Sequence, residues 1–313
     1  MSIDSPLHLS GVIPPMLTPL TPSGEIDQQH LEVLVSHMLA GGVSGLFVLG
    51  SSGEGPWLTA SQRREVIDQT VRVVDGRVPV LAGVIEPSTG RTMEWMRIIE
   101  DSGVDAAVIG SPYYFPADSD CQRRHVETVA SHSKIPLVLY NIPPATHNPI
   151  SPGTVRKLLE VESLVGIKDS SGDWQVFREL LELPKIRPGF SVLQGAEKLS
   201  ARAMLAGADG IVPGLGNLVP DLFVRLVTSA RSGDEKEVWR LQEQANKLWH
   251  LHTQGFWLDC LKYAASVLGL SRGALCGRDG ALSEPEKAMI RQLLRMYGPN
   301  AEATRDALKE VVE

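Results

Sequence analysis

PLVLYNIPPATHNPISPGTVRKLLEVESLVGIKD (136–169) is the stretch from which the architecture can be read. It begins and ends on short, almost wholly apolar runs, PLVLYN (136–141) and LVGIKD (164–169). Between them, 151–159 carries the apolar spacing of a helix. Strand-length runs without polar alternation are the pattern of parallel strands buried on both faces. Strand, crossover helix and second strand make one βα repeat, and the repeat recurs. Further runs lie at VIPPML (12–17), GLFVLG (45–50), VPVLAGV (78–84), DAAVIG (105–110), FSVLQG (190–195) and DGIVPG (209–214), each bounded by Gly, Pro or Asp.

Helical patterns fill the gaps. The stretch 27–40 opens on Asp27, places Leu31, Leu34, Val35 and Met38 on one face, and stops at Gly41 and Gly42. Thr59 fits an N-cap for a helix running to Val74, with Gln62 placed for a capping box. Stretches 88–100, 120–131, 173–181, 197–205 and 219–229 complete the series. Eight strands alternating with eight helices imply parallel crossovers. Such a series can close into a barrel or open into a doubly wound sheet. Even spacing, about 30 residues per unit, favours a (β/α)₈ TIM barrel over 1–230. No GxGxxG follows the first strand, which weakens the open sheet. Beyond residue 230 the stretches 234–250, 256–268, 284–297 and 301–312 read as helices with no strand between them. This segment, 231–313, follows no low-complexity linker and is expected to dock on the barrel.

Bulk properties remove several classes. The 313 residues are 43% hydrophobic and 21% charged, the mix of an ordinary globular protein. A net charge of −7 without a basic run disfavours nucleic acid and anionic membrane surfaces as partners. The cysteines, Cys121, Cys260 and Cys276, are odd in number and form no CxxC, which favours a reducing compartment. The start lacks a basic n-region and a long apolar stretch, so the chain reads as cytoplasmic. The eight histidines show no HxH or HExxH spacing, and no metal or cofactor is expected. His37, His125, His132 and His250 fall in helical patterns as packing or surface residues.

In a barrel, reactive groups gather at the C-terminal ends of strands. Lys168 closes LVGIK; burial there would lower its pKa and leave a neutral, nucleophilic amine, unless it merely pairs with Asp169 or Asp173. Tyr140 closes the preceding strand and could move protons, or could be a buried phenol with a satisfied hydroxyl. The turn Gly50-Ser51-Ser52-Gly53-Glu54-Gly55 could cradle a carboxylate, or simply turn. Gly195 and Val212, at the ends of the seventh and eighth runs, are further contacts on the same rim. The loop 213–217 reads equally as a phosphate loop or as a turn into a helix.

GSSGE (50–54), SPYY (111–114), YNIP (140–143) and GIKD (166–169) together resemble the dihydrodipicolinate synthase / N-acetylneuraminate lyase family over nearly the whole chain. The resemblance implies a metal-free class I mechanism. Lys168 would form a Schiff base with pyruvate or another 2-keto acid. Ser51, Ser52 and the Gly53 amide would hold its carboxylate, and Tyr140 would transfer protons. Ser51 and Tyr114 would complete a relay, the second tyrosine coming from the neighbouring subunit of a homotetramer. Synthases of the family carry an arginine shortly after the YN-P motif, where this chain has Ala145. The motif GIKDSSGD is more similar to the 2-keto-3-deoxy sugar-acid aldolases, in which Asp169 and Ser170 would face the substrate's tail and His147 could touch it. The expected reaction is therefore aldol cleavage or formation of such an acid from pyruvate and an aldehyde. The rivals are a synthase or dehydratase on the same scaffold and, in another class, a non-catalytic keto-acid-binding protein.

Overall fold

In the computed structural model, residues 7–272 and 282–299 are described. The apolar runs pair as parallel strands: β1 (Gly11–Val12), β2 (Leu46–Val48), β3 (Val80–Val84), β4 (Ala106–Gly110), β5 (Leu137–Asn141), β6 (Leu164–Asp169), β7 (Ser191–Gln194) and β8 (Gly210–Ile211). Their order, β1-β8-β7-β6-β5-β4-β3-β2, puts β1 and β2 at the two ends. A parallel bridge between Pro15 and Phe47 joins those ends and closes the barrel. The Phe47 amide donates to Pro14 O (3.0 Å) and the Met16 amide to Phe47 O (2.8 Å). Pro14 and Pro15 have no N–H to contribute to a ladder, so β1 stops sooner than the run 12–17 suggests.

Each strand sends alternate side chains to two cores. Ile13, Phe47, Leu81, Val108, Val138 and Leu193 pack inside the barrel. Val48, Ala82, Ile109, Leu139, Ile167 and Val192 face the surrounding helices. Asp27 caps the helix Gln28–Ala40, accepting from the His30 amide. The helix Ala60–Val74 begins with the expected capping box between Thr59 and Gln62. The pattern missed two short helices, Pro143–Thr146 and Leu183–Ile186. One turn is too short to show a 3.6-residue period. The stretch 197–205 divides into a 3₁₀ turn, Glu197–Leu199, and the helix Ser200–Leu205.

The later helices, Glu235–Trp249, Trp257–Val267 and Glu284–Tyr297, join the outer core through Val238, Leu248, Leu261, Ala264, Ile290 and Leu294. The helix expected over 301–312, and Cys276, lie outside the described residues. No described helix is long and apolar enough to cross a membrane.

The capping box gives a direct test of the local argument. Thr59→Ala removes the side-chain acceptor for the Gln62 amide and is expected to lower stability by about 1 kcal/mol, read from a urea-denaturation midpoint.

Candidate active site

Alternation along β6 aims one lysine into the barrel. Ile167 packs outward, Lys168 turns inward, and Asp169 turns outward again. Lys168 is 4% exposed. Its neighbour in register on β5 is Tyr140. The Lys168 Nζ lies 4.1 Å from the Tyr140 ring centroid and 4.8 Å from that of Phe47. Those two rings meet edge to face at 6.0 Å. Below the amine lie Ile13, Leu81, Val108 and Val138 of the barrel interior. Burial pushes the ammonium well below the ordinary lysine value; Tyr140, through charge and hydrogen bonding, and the Glu197 carboxylate push it back part of the way.

Above the amine opens a cavity of about 560 Å³. It brings together Lys168, Tyr140, Ser51, Ser52, Ser170, Gly195 and Val212, most of the residues expected at the site. Gly195 is demanded by close approach. A Cβ there would lie 2.1 Å from Ser170 Oγ and 2.9 Å from Lys168 Cε. Gly53 does not line the cavity. It packs beneath the turn, where Thr18 Oγ1 donates to its carbonyl (2.7 Å) and a Cβ would come within 2.8 Å of Met16 O.

Asp169 is placed differently from the expectation. It is fully buried on the outward side of β6, accepting from Asn141 Nδ2 (2.7 Å) and Ser171 Oγ (2.8 Å). Burial raises its pKa, while those two partners oppose the shift. Its task is to brace the ends of β5 and β6. Neither Asp169 nor Asp173 pairs with Lys168: Asp173 caps the helix Trp174–Leu180. Tyr114 also lies away from the cavity of its own chain. It is 83% exposed, with φ +81° and its ring edge-on to Phe115 at 5.0 Å.

The loop 213–217 forms a 3₁₀ turn that ties into the barrel seam. Asn217 accepts from the Leu17 amide (2.9 Å) and donates to Pro15 O (3.0 Å). His125 is a packing residue. Its Nδ1 lies 2.9 Å from Thr89 Oγ1, and burial pushes its pKa down to about 4.

Several lining residues escaped the sequence reading. Glu197 follows the end of β7 by a few positions, and the strand-end rule could have found it. Trp249, His252, Trp257 and Leu261 come from the later helical segment, where no strand rule applies. The same segment anchors the serine turn. Lys262, on the helix Trp257–Val267, pairs with Glu54, and both side chains are fully buried. A second chamber of about 330 Å³ adjoins the first through Ser51, Ile142 and Trp257. Ala145, Ile85, Phe256 and Leu258 make its walls largely apolar.

The chain matches the Dihydrodipicolinate synthetase family over residues 8–295. It belongs to that family. A 4-hydroxy-tetrahydrodipicolinate synthase of Salinibacter ruber is 35% identical over 72% of this chain and 74% of its own. A DapA-like lyase of Halobacterium salinarum is 30% identical over 94% and 95%. Among solved structures, the family protein YagE of E. coli, in complex with pyruvate, superposes with a TM-score of 0.88 at 28% identity, covering 92% of this chain and 98% of that one. Dihydrodipicolinate synthase of Bacteroides thetaiotaomicron gives a TM-score of 0.87 at 34% identity with the same coverage. Membership agrees with the reading from the residues: the chain is a lyase on the class I, Schiff-base scaffold, and its fold is the (β/α)₈ barrel with added C-terminal helices.

Two substitutions probe this construction. Lys262→Met removes the cation facing the buried Glu54 carboxylate and is expected to destabilise the fold by roughly 3–5 kcal/mol, measured by chemical denaturation. Gly195→Ala should lower stability by about 1–3 kcal/mol, measured by chemical denaturation, and in the protein that remains folded should cut pyruvate-adduct formation on Lys168 at least tenfold, because its methyl displaces the lysine stem.

Proposed function

We propose that the enzyme is a pyruvate-dependent aldolase that cleaves or forms a 2-keto-3-deoxy sugar acid or a close relative. The observation that carries this reading is the buried Lys168 amine, seated on the Tyr140 ring at the floor of a cavity edged by Ser51 and Ser52. A desolvated amine at a barrel mouth has its neutral form favoured and can attack a carbonyl carbon.

Lys168 Nζ adds to C2 of the keto acid, and the carbinolamine loses water to give an iminium. Ser51 and Ser52 hold the carboxylate. Tyr140 supplies and recovers the proton, a role typically worth about 10²–10⁴-fold. In the cleavage direction the C4 hydroxyl loses its proton, the C3–C4 bond breaks, and its electron pair moves into the iminium to form an enamine. The aldehyde leaves. C3 then takes up a proton, and water releases pyruvate from Lys168.

The solved complex of YagE with pyruvate supports the choice of keto acid. Ala145, and the lack of any cationic side chain among the residues lining the second chamber, argue against an aldehyde bearing its own carboxylate. Ser170, Glu197 and His252 offer polar groups to a hydroxylated tail. The strained, exposed Tyr114 beside Phe115 suits insertion into a second copy, so we assign a homotetramer in which Tyr114 of the partner subunit completes the relay with Ser51. The odd cysteine count supports a reducing cytoplasm as the compartment.

Borohydride with pyruvate should fix a covalent adduct on Lys168, detected by mass spectrometry; an unmodified lysine refutes the mechanism. Adduct formation should rise with pH along one ionisation centred below 10.5 and then level off, since deprotonation creates the nucleophile and burial lowers its pKa. Turnover of 2-keto-3-deoxygluconate, set against pyruvate plus aspartate semialdehyde, separates the aldolase from a synthase. Product from the second pair alone would reverse the assignment.

A further inference from the structure

The loop that carries Tyr114 is held by one side chain from another loop. Residues 112–117 lie between β4 and the helix Ser119–Ala130. Pro112 and Pro116 have no N–H to donate, and among the described residues no backbone–backbone hydrogen bond holds this stretch. Asn148 supplies what is missing. Its Nδ2 donates to Pro112 O (2.8 Å) and to Phe115 O (2.9 Å), and its Oδ1 accepts from the Ala117 amide (3.0 Å). Two carbonyls and one N–H fix which end of the side-chain amide is which, because its nitrogen only donates and its oxygen only accepts. The side chain is 6% exposed, and both of its N–H groups are used.

Tyr114 lies between the bonded carbonyls. Its φ of +81° is a left-handed backbone that a tyrosine keeps only where its surroundings impose it. The bond to Pro112 O on one side, and those to Phe115 O and the Ala117 amide on the other, impose it. The clamp itself stands on a fixed base. Gln122 Nε2, from the helix that follows, donates to Ser111 Oγ (3.3 Å) and Pro149 O (3.1 Å). The Ile150 amide donates to Asn141 Oδ1 (2.9 Å), and Asn141 Nδ2 reaches Asp169 (2.7 Å). Asn141 follows Tyr140 and Asp169 follows Lys168 on paired strands. A run of buried side chains therefore ties the Tyr114 loop to the strands that carry the phenol and the amine.

We propose that Asn148 is a positioning residue: it fixes the Tyr114–Phe115 loop in the shape that a second copy receives, so that its effect on the reaction passes through the Tyr114 hydroxyl. The proposal rests on the assignment of Tyr114 to the relay of the neighbouring subunit and deepens it.

The test uses the full chain and pyruvate alone. In D2O the iminium on Lys168 loses a proton from C3 to form the enamine, which takes a deuteron back. Deuterium uptake into the pyruvate methyl group, followed by NMR, thus reads proton transfer without any aldehyde. Asn148→Asp keeps the shape and the acceptor for Ala117 but loses both donations. It should lower the maximal uptake rate about tenfold and leave the half-saturating pyruvate concentration within about twofold, since a misplaced proton-transfer group costs rate rather than binding. Tyr114→Phe should do the same, and adding Asn148→Asp to it should cost little more, because residues that act through one group are not additive. Asn148→Ala, in which water can reach the freed backbone groups, gives the same comparison if Asn148→Asp does not fold. A full rate in the folded Asn148 variants, or losses that multiply in the double variant, overturns the positioning role while leaving the relay standing. A full rate in Tyr114→Phe overturns the relay, and the positioning role with it.

Discussion

Everything at this site depends on keeping one ammonium poorly solvated. Lys168 stands where water is excluded on three sides: the barrel interior lies below, and the Phe47 and Tyr140 rings lie beside it. The aromatic faces soften the cost of a transient positive charge without neutralising it. A carboxylate hydrogen-bonded at the same spot would hold the proton on the amine. The outward turn of Asp169, held by Asn141 and Ser171, keeps the nearest carboxylate in sequence away from the amine. Glu197 acts from farther off, with one oxygen already committed to the Leu215 amide.

The frame that holds this arrangement is assembled from distant parts of the chain. The seam between β1 and β2 is closed by Pro15 and Phe47, and Phe47 is also one of the two rings beside the amine. The serine turn is tied by Thr18 from one side and by the buried Lys262–Glu54 pair from another. Breaking such a pair costs more than never having had it, since a buried charge loses its partner. The later helices thus support the turn, wall the cavity and contribute to the outer core.

Much of this was legible from residue order alone. Unalternating apolar runs announced buried parallel strands. Asp27 and the Thr59–Gln62 pair marked helix starts, because capping is settled within a few residues of chain. Lys168 and Tyr140 could be singled out because a barrel rule converts position at a strand end into position at the mouth. Those conclusions use short-range chemistry and one general property of the fold, so no contacts were needed.

Contacts between distant segments could not be read that way. The outward-facing Asp169 shows the limit: GIKD names both residues, but only the pleat, in its actual register with β5, decides which enters the barrel. Gly53 likewise belongs to the floor of the turn, because Met16 and Thr18, in the segment after β1, crowd it. Trp249 and Trp257 sit at the ends of helices whose period says only that one face is buried, and His252 lies in the 3₁₀ turn His250–Thr253 between them. What they are buried against depends on how the segment docks. Sequence order therefore determined the barrel and singled out Lys168 and the Tyr140 phenol at its mouth. Tertiary packing alone decided the orientation of Asp169, the pairing of Lys262 with Glu54 and the composition of the far wall, because each depends on side chains that approach only after distant elements have packed.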